Sequence, residues 1–335
     1  MRDLLLRMAP ILRLTRVSKA FAAAANLWFV VLWTRGVPEE FAAAPVQLRE
    51  SPLWLLLSGG FVAGVGLYAY GAALNDVLDR RRDRTLRPDR PLASGQVSAE
   101  WAVTAVAVTL IAAVLGSTVF GVSGVVLTLV LGLAILVFNV AGKFVPGVGL
   151  LLLSVVYAGH MLVANPWLRF LWPTVLVMSH AILVAVLAHA LERKSPPISG
   201  RAGVLLLVGW GVVLGVLVWA GHARSVLEGE SWGASVYPLW LDPWGGAVWP
   251  ILLSLVFVLL VARRIRKVGP GARVAEKINR YGAVWLPLYG VAWLLGEGLF
   301  VEAGILGALA LVALLGLTVL REAYSLAEQP IGYRR

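Results

Sequence analysis

Apolar residues of this chain occur in runs of about twenty, separated by short polar segments. A run of that length, coiled as an α-helix, crosses the apolar core of a lipid bilayer. The pattern therefore predicts an all-α, polytopic membrane bundle of nine or ten transmembrane helices. The predicted helices cover residues 20–34, 52–74, 100–120, 122–141, 147–164, 172–190, 202–221, 247–263, 281–299 and 303–321.

Basic residues are distributed unevenly among the polar segments. If the N-terminus faces the cytoplasm, 25 of the 29 lysines and arginines fall in cytoplasmic segments, and the others are Arg35, Arg49, Arg169 and Arg224. This asymmetry follows the positive-inside rule, so we expect both termini in the cytoplasm and the protein in a bacterial inner membrane. The basic N-terminal segment has no small-residue cleavage site, which predicts a cytoplasmic arm rather than a signal peptide.

The composition limits which binding partners and which metal sites are expected. The chain has no cysteine, which excludes disulfides and thiolate metal sites. Its net charge of +11 is explained by basic segments beside anionic lipid, so we expect membrane lipid and no nucleic acid as a partner. No repeat or long linker interrupts the chain, which predicts one integral-membrane domain over residues 1–335. A tryptophan-rich segment, residues 223–246, is typical of an aromatic belt at the outer interface.

One charged segment follows directly on an apolar helix and reads LNDVLDRRRDRTLRPDRPLASGQVS, residues 74–98. On a continuous helix, Asp76, Asp79 and Asp83 would lie within roughly 60° of one another, so their carboxylates would share a face and repel. Two interpretations follow. The carboxylates could form local ion pairs on a solvated helix end, Asp76 with Arg80, Asp79 with Arg82 or Arg84, and Asp83 with Arg87. Alternatively, they could bind Mg²⁺, whose other ligands would be waters and phosphate oxygens, which predicts a diphosphate site.

Polar residues on either side of the aspartates fit the diphosphate interpretation. Arg87 and Arg90 lie between prolines that end the helix, and a guanidinium there could bind phosphate through two hydrogen bonds. Asn75, and Tyr68 and Tyr70 one to two turns deeper, could contact the metal shell or the substrate. For each tyrosine, packing inside the bundle is the alternative.

The segment NDVLDRRRDRTLRPDRPLASGQVS resembles the first aspartate-rich motif of the UbiA superfamily of intramembrane prenyltransferases, NDxxDxxxD followed by RPxRPLxSGxIS. The resemblance extends, at lower specificity, over most of residues 10–300. It implies a helical bundle around a central cavity, with Mg²⁺ bound through Asp76, Asp79 and Asp83 and a prenyl diphosphate whose chain lies among the helices.

Two further segments are similar to that superfamily. Asn26 matches a polar residue that faces the cavity. The stretch FNVAGKFVPGVG places Asn139 and Lys143 four residues apart, hence on one helix face, where the resemblance implies contact with the diphosphate. A lysine that reaches toward the membrane surface is the alternative for Lys143.

The sequence departs from the superfamily at the second acidic motif, where it reads VLAHALERKSPPISGR. Glu192 is the single acidic residue between Glu100 and Glu228, so a second metal ion is left open. Glu192 could still bind a metal, and Lys143, Arg193 and Lys194 could supply positive charge. His189 could be a ligand, a base or a cavity-lining residue. His160 and His180 are candidates for an acceptor pocket or for structural hydrogen bonds.

Two functions remain. In the first, the protein is an enzyme, a Mg²⁺-dependent prenyltransferase that joins an allylic prenyl diphosphate to an aromatic or other lipophilic acceptor within the membrane. In the second, the cavity binds a prenyl lipid without catalysis, as a carrier or scaffold. We favour the enzyme, because binding alone does not require three carboxylates on one face. The inferred site lies at the cytoplasmic side.

Overall fold

The computed structural model describes residues 14–38, 43–226, 241–242 and 244–328, together with Pro10 and Tyr237. Each predicted window corresponds to a long helix, and the described residues contain no β-strand. Five stretches, one of them running through two consecutive helices, are long and apolar enough to cross a membrane. The all-α membrane bundle is confirmed. Its helices are α1 Val17–Gly36, α2 Val46–Glu50, α3 Leu53–Leu78, α4 Arg80–Leu86, α5 Ala99–Ser117, α6 Gly121–Val140, α7 Pro146–Leu162, α8 Trp172–Leu191, α9 Gly200–Val226, α10 Trp249–Val268, α11 Ala272–Gly296 and α12 Phe300–Glu328.

Local sequence sets the ends of several helices. Proline occupies the first turn of α7, α8 and α10, where its missing N–H would have no helical partner. At the start of α5 the Ser98 hydroxyl accepts a hydrogen bond of 3.2 Å from the backbone N–H of Trp101. Gly269 ends α10 with a φ of 83°, which glycine adopts without strain.

Small residues allow α3 to pack closely against its neighbours. A Cβ atom on Gly116 of α5 would lie 2.5 Å from the backbone nitrogen of Ala63, and one on Gly64 would lie 2.8 Å from the backbone of Ala24 in α1. Close backbone contact between small residues is a common way to join helices in membranes, where water does not drive association. Helix α3, which carries the aspartates at its end, is therefore held on two sides.

The contacts of the connecting segments define two ends of the bundle. At the charged end, ion pairs join residues that precede α1, lie in the last turn of α3, or follow α3, α6 and α8. At the aromatic end, Phe170 between α7 and α8 stacks on Trp33 of α1, with ring centroids 5.4 Å apart, and Arg224 of α9 donates to the carbonyl of Leu168. In the predicted aromatic belt, Trp244 is exposed, and Trp232 and Trp240 lie outside the described residues.

Candidate active site at the charged end

A cavity of about 530 Å³ lies between α1, α3, α6, α7, α8 and α11. Exposed residues of its lining, Arg82, Arg87 and Lys194, lie at the charged end, so the cavity opens there. The deeper wall is mostly apolar. The lining includes ten of the residues predicted from the sequence: Asn26, Tyr68, Asn75, Asp79, Asp83, Arg87, Arg90, Asn139, Lys143 and His189.

Each of the three aspartates is paired with a cation, and two of the cations, Arg16 and Lys143, come from distant parts of the chain. Asp76 and Asp83 are 3% and 5% exposed, and the Arg90 guanidinium lies between them. Its Nη1 donates to Oδ1 of Asp76 at 3.1 Å and to Oδ2 of Asp83 at 2.5 Å. Arg16 donates to the same Asp76 oxygen at 2.9 Å, and Lys143 Nζ donates to Asp79 at 2.8 Å. The local pairs within residues 76–87 do not form among these described side chains, so the partners named in the first interpretation are wrong, although all three aspartates are ion-paired.

The backbone at Asp79 explains why the carboxylates meet different cations. Helix α3 ends at Leu78, Asp79 has a φ of −88° and a ψ of 1°, and α4 begins at Arg80. The expectation of one continuous helix is therefore wrong at this residue, although the hydrogen bonds from Asp79 to Asn75 and from Asp83 to Asp79 carry the chain onward. The local turn lets Asp79 meet Lys143 while Asp76 and Asp83 share Arg90.

The described side chains supply only some of the ligands that a hard cation such as Mg²⁺ needs. Within the part of the chain that the structure describes, no three acidic or histidine side chains converge on one metal-sized point. Asp76 and Asp83 nevertheless hold a single cationic nitrogen between their oxygens. Mg²⁺ often takes only one or two carboxylates and completes its shell with waters and phosphate oxygens. The pair therefore has the right chemistry for Mg²⁺, provided that Arg90 moves from between the carboxylates.

The degenerate second motif lies at the same end, on the other side of the opening. Glu192 Oε2 is 3.3 Å from Arg87 Nη2 and 3.1 Å from Lys194 Nζ, so its charge is already balanced. His189 lines the cavity, and its Nε2 lies 2.9 Å from the Pro196 carbonyl oxygen. Since a carbonyl oxygen can only accept, Nε2 carries the proton and donates it. Arg193 does not line the cavity and has a φ of 51°. The structure thus brings Glu192 to the opening but not beside the aspartates.

The deeper polar residues differ in how many of their polar atoms have a hydrogen-bond partner. Asn139 donates to the Ile135 carbonyl at 2.9 Å, while its own Oδ1 has no hydrogen-bond partner among the described residues. Tyr70 lies outside the cavity lining and donates to the Gly132 carbonyl at 3.2 Å, which is a packing role. Tyr68, Asn26, His160 and His180 line the cavity.

The lining residues that the sequence did not assign to the site include Arg16, Tyr157 and Asn279. Arg16 lies in the basic segment before α1, and its pairing with Asp76 depends on how α1 packs beside α3. Tyr157 on α7 and Asn279 on α11 carry no motif of their own. A polar residue inside an apolar helix was the available signal for Tyr157.

Comparisons with known proteins agree with this architecture. No protein-family model matches the sequence. The digeranylgeranylglyceryl phosphate synthase of Haloquadratum walsbyi is 33% identical over 93 residues, which are 28% of this chain and 32% of that synthase. The match therefore spans about a third of the relative's length.

Solved structures match over most of the chain. One, which concerns digeranylgeranylglyceryl phosphate synthase in membranes, has a TM-score of 0.53 at 17% identity and covers 87% of this chain and 98% of its own. A UbiA homologue from Archaeoglobus fulgidus bound to Cd²⁺ has a TM-score of 0.50 at 13% identity, with 85% and 99% covered. The chain is thus an integral membrane protein with the UbiA fold, and the resemblance to the UbiA superfamily predicted from the aspartate-rich motif is confirmed.

Proposed function

We propose that this protein is a Mg²⁺-dependent prenyltransferase that transfers a prenyl group from an allylic prenyl diphosphate to an aromatic or other lipophilic acceptor within the membrane. The observation that carries the proposal is the aspartate cluster at the charged end. Asp79 and Asp83, with their partners Lys143 and Arg90, line the opening of an apolar cavity. The buried Asp76 shares Arg90 with Asp83 and also pairs with Arg16. The activity named for the matched synthase and the Cd²⁺ bound to the UbiA homologue support it.

Energetics favour a ligand-binding role for these charges. A buried ion pair is often no more stable than apolar residues of the same volume, because both charges lose their water. Asp76 and Asp83 are nearly fully buried, and they share a cation rather than forming independent pairs. Ligands can replace the internal partners of such a cluster. The cations can bind a diphosphate, and the carboxylates can bind a divalent ion.

The chain's own residues account for much of the chemistry. When bound at Asp76, Asp79 or Asp83, Mg²⁺ would neutralise charge on the diphosphate oxygens. Arg90, Arg87 and Lys143 line the opening and would stabilise the diphosphate as the bond to the allylic carbon breaks. Asn75 and Asn139 would orient it. The apolar wall excludes water from the allylic cation. The acceptor then bonds to that carbon and loses one proton, and the products are prenylated acceptor, diphosphate and H⁺.

The test compares matched aspartate variants in membranes supplied with radiolabelled geranylgeranyl diphosphate, Mg²⁺ and candidate acceptors. We expect Asp76→Asn and Asp79→Asn to lower diphosphate release by about 100-fold or more, because each removes charge from the reacting site. Asp89→Asn is the control, since Asp89 is exposed in the same segment and does not line the cavity. Full release in both site variants would refute the catalytic assignment.

A non-catalytic carrier or scaffold for a prenyl lipid is the second candidate, and one observation favours it. Arg87 and Lys194 balance Glu192, so among the described residues the opposite side of the opening offers no unpaired carboxylate for a second metal ion. In that case wild-type protein would bind geranylgeranyl diphosphate with Mg²⁺ but release no diphosphate with any acceptor. Turnover by wild type excludes the carrier.

We also propose that the charged end faces the cytoplasm of a bacterium, across the inner membrane, and that residues 1–335 form one domain. The basic residues at that end support this orientation, since they would lie beside anionic lipid. Cysteines at Ser94 and Ser195, both exposed at the charged end, should resist an impermeant thiol reagent in intact cells. A cysteine at Glu50, exposed at the aromatic end, should react. The opposite labelling pattern would reverse the orientation.

A further inference from the structure

The three aspartates of the charged end differ in their access to the cavity. Asp79 and Asp83 belong to the cavity lining, and Asp76, whose side chain is 4% exposed, does not. The two guanidiniums that contact Asp76, those of Arg16 and Arg90, both line the cavity. A ligand that enters the cavity therefore meets these guanidiniums before it meets the Asp76 carboxylate.

One oxygen of Asp76 accepts several hydrogen bonds. Oδ1 accepts from Arg16 at 2.9 Å, from Arg90 at 3.1 Å and from the Asn75 amide at 3.4 Å. The same Arg90 nitrogen also donates to Asp83. A carboxylate oxygen binds a metal ion through its lone pairs, which these donors use. A divalent ion bound to Oδ1 would therefore have to displace a guanidinium.

The cluster is formally neutral. Its three aspartates are matched by three cations, which are the two guanidiniums and the Lys143 ammonium group. A free divalent ion would add two positive charges to a largely buried site, and burial makes uncompensated charge costly. A diphosphate that arrives with the ion brings negative charge to offset it. Electrostatics therefore favours joint binding of the metal and diphosphate over binding of the metal alone.

The Arg90 side chain can leave the carboxylates while its backbone stays in place. The Arg90 N–H donates to the Arg87 carbonyl at 3.1 Å, and the Arg90 carbonyl accepts from the Ser94 N–H at 2.8 Å. The guanidinium, at the end of a long flexible side chain, already lines the cavity. A diphosphate in the opening offers it two oxygens in the geometry that a guanidinium prefers. Rotation of the side chain is therefore enough to transfer Arg90 from carboxylate to phosphate.

Arg16 is the second covering group, and it is the more accessible one. It precedes α1 with a φ of 48° and a ψ of 34°, a left-handed conformation that is strained for a residue with a side chain. Backbone strain of this kind is concentrated at ligand sites and switch regions. The Arg16 side chain is 36% exposed, so water can solvate its guanidinium once it leaves Asp76.

We propose that Arg90 and Arg16 close the aspartate cluster to free divalent ions, so that the site accepts the metal only together with diphosphate. The diphosphate draws the guanidiniums away, and the carboxylate oxygens of Asp76 and Asp83 that they release bind the ion. This inference rests on the proposed function, since it takes the aspartates as metal ligands. It adds a binding order that prenyl transfer itself does not require, because such an enzyme could equally bind its metal first.

The test measures metal binding and needs no turnover. Full-length protein in micelles is dialysed to equilibrium against radioactive Mn²⁺, which prefers the same oxygen ligands as Mg²⁺, with or without inorganic diphosphate. Bound metal is the excess in the protein compartment, so chelation by free diphosphate cancels. Arg90→Gln should bind Mn²⁺ alone about tenfold more tightly than wild type, because a competing positive charge is removed. Mere loss of a phosphate contact would not tighten binding of the free ion.

Two further variants control this comparison. Arg84→Gln removes an exposed positive charge outside the cavity lining, so its affinity for Mn²⁺ alone should equal that of wild type. Arg16→Gln keeps the test decisive if Arg90→Gln does not fold, and it should bind Mn²⁺ alone about threefold more tightly than wild type. Unchanged affinity in the site variants that fold, or equal tightening in Arg84→Gln, overturns the inference.

The outcomes also separate this inference from the proposed function. Diphosphate should increase Mn²⁺ binding more in wild type than in Arg90→Gln. If wild type binds Mn²⁺ as tightly alone as with diphosphate, the binding order is wrong, while the aspartates remain the metal site. If wild type and the site variants bind no Mn²⁺ under either condition, the metal site of the proposed function is wrong as well.

Discussion

The two ends of the bundle are built from different chemistry. At the charged end, Asp76, Asp79 and Asp83 meet Arg16, Arg90 and Lys143, which come from three separate segments of the chain. At the aromatic end, Phe170 stacks on Trp33 and meets Trp293 edge to face, with centroids 5.2 Å apart. The charged end opens into the cavity, and the aromatic end contributes to the hydrophobic core.

The aromatic packing and the buried ion pairs contribute differently to the stability of the fold. Aromatic packing stabilises the fold without any need for a ligand. Buried ion pairs add little net stability, because desolvation opposes their attraction. We infer that the aromatic end holds the helices together while the charged end keeps its side chains ready for ligands. Substitutions at the two ends should therefore change different measured quantities.

The largest expected effect is on stability at the aromatic end. Phe170→Ala removes a ring that is 3% exposed and contacts two tryptophans, so the free energy of unfolding should fall by about 3–5 kcal/mol. Affinity for geranylgeranyl diphosphate, measured per folded molecule, should not change. Chemical denaturation of the protein in micelles measures the first quantity, and equilibrium binding at low temperature measures the second.

Trp167→Ala is the matched control, because Trp167 lies in the same connection and is 56% exposed. We expect its unfolding free energy to stay within about 0.5 kcal/mol of wild type. A similar loss in both variants would contradict a specific role for the stacked rings.

The second effect is on ligand affinity at the charged end. Lys143→Met removes the ammonium group that contacts Asp79 at the opening, so the dissociation constant for geranylgeranyl diphosphate with Mg²⁺ should rise about 10- to 100-fold. Asp79 loses its partner as well, so the measurement is made on folded protein only. Isothermal titration in detergent gives the constant.

Arg84→Met removes one positive charge from the same end, but Arg84 is exposed and does not line the cavity. Its dissociation constant should stay close to that of wild type at physiological salt. If both variants weaken binding equally, the general positive charge of this end, rather than the position of Lys143, attracts the diphosphate.

The sequence predicts those features of the two ends that depend on neighbouring residues, and it does not predict those that depend on helix packing. The helices follow from apolar runs, and the aspartates from a motif within ten residues, so both are read from neighbouring positions. The partners of the aspartates depend on which helices pack together. Arg16 is sixty residues from Asp76, and Lys143 is sixty-four from Asp79. Sequence spacing therefore suggested local arginine partners that the fold does not use.

The same reasoning applies to the deeper cavity and the aromatic end. Asn26, Asn139 and Tyr68 were found because they interrupt apolar helices, or because the resemblance marks them. The stacking of Phe170 on Trp33 depends on a tertiary distance, which no single segment contains. Arg193, predicted from the sequence as a source of positive charge for the site, lies outside the cavity lining, since the helix ends before it.

The smallest expected effect concerns a carboxylate at the aromatic end, in the connection between α11 and α12. Burial raises the pKa of Glu297 to about 7, and the charge of Asp242 adds to the rise, while a hydrogen bond from the Asp242 backbone opposes it. Its Oε1 has no hydrogen-bond partner among the described residues. The unfolded chain has the lower pKa and releases the proton first, so this group lowers stability as pH rises from about 4.5 to about 7.

Glu297→Gln replaces this carboxyl group with an amide that does not titrate. The variant and wild type should unfold at the same temperature near pH 4.5, and above pH 7 the variant should unfold about 2–4 °C higher, a difference on the order of 1 kcal/mol after solvent screening. Scanning calorimetry at both pH values measures it. Glu50→Gln, which changes an exposed carboxylate at the same end, should show no such dependence. A variant that is less stable than wild type at high pH would show that the charge of Glu297 supports the fold, which would bring this end closer in character to the charged one.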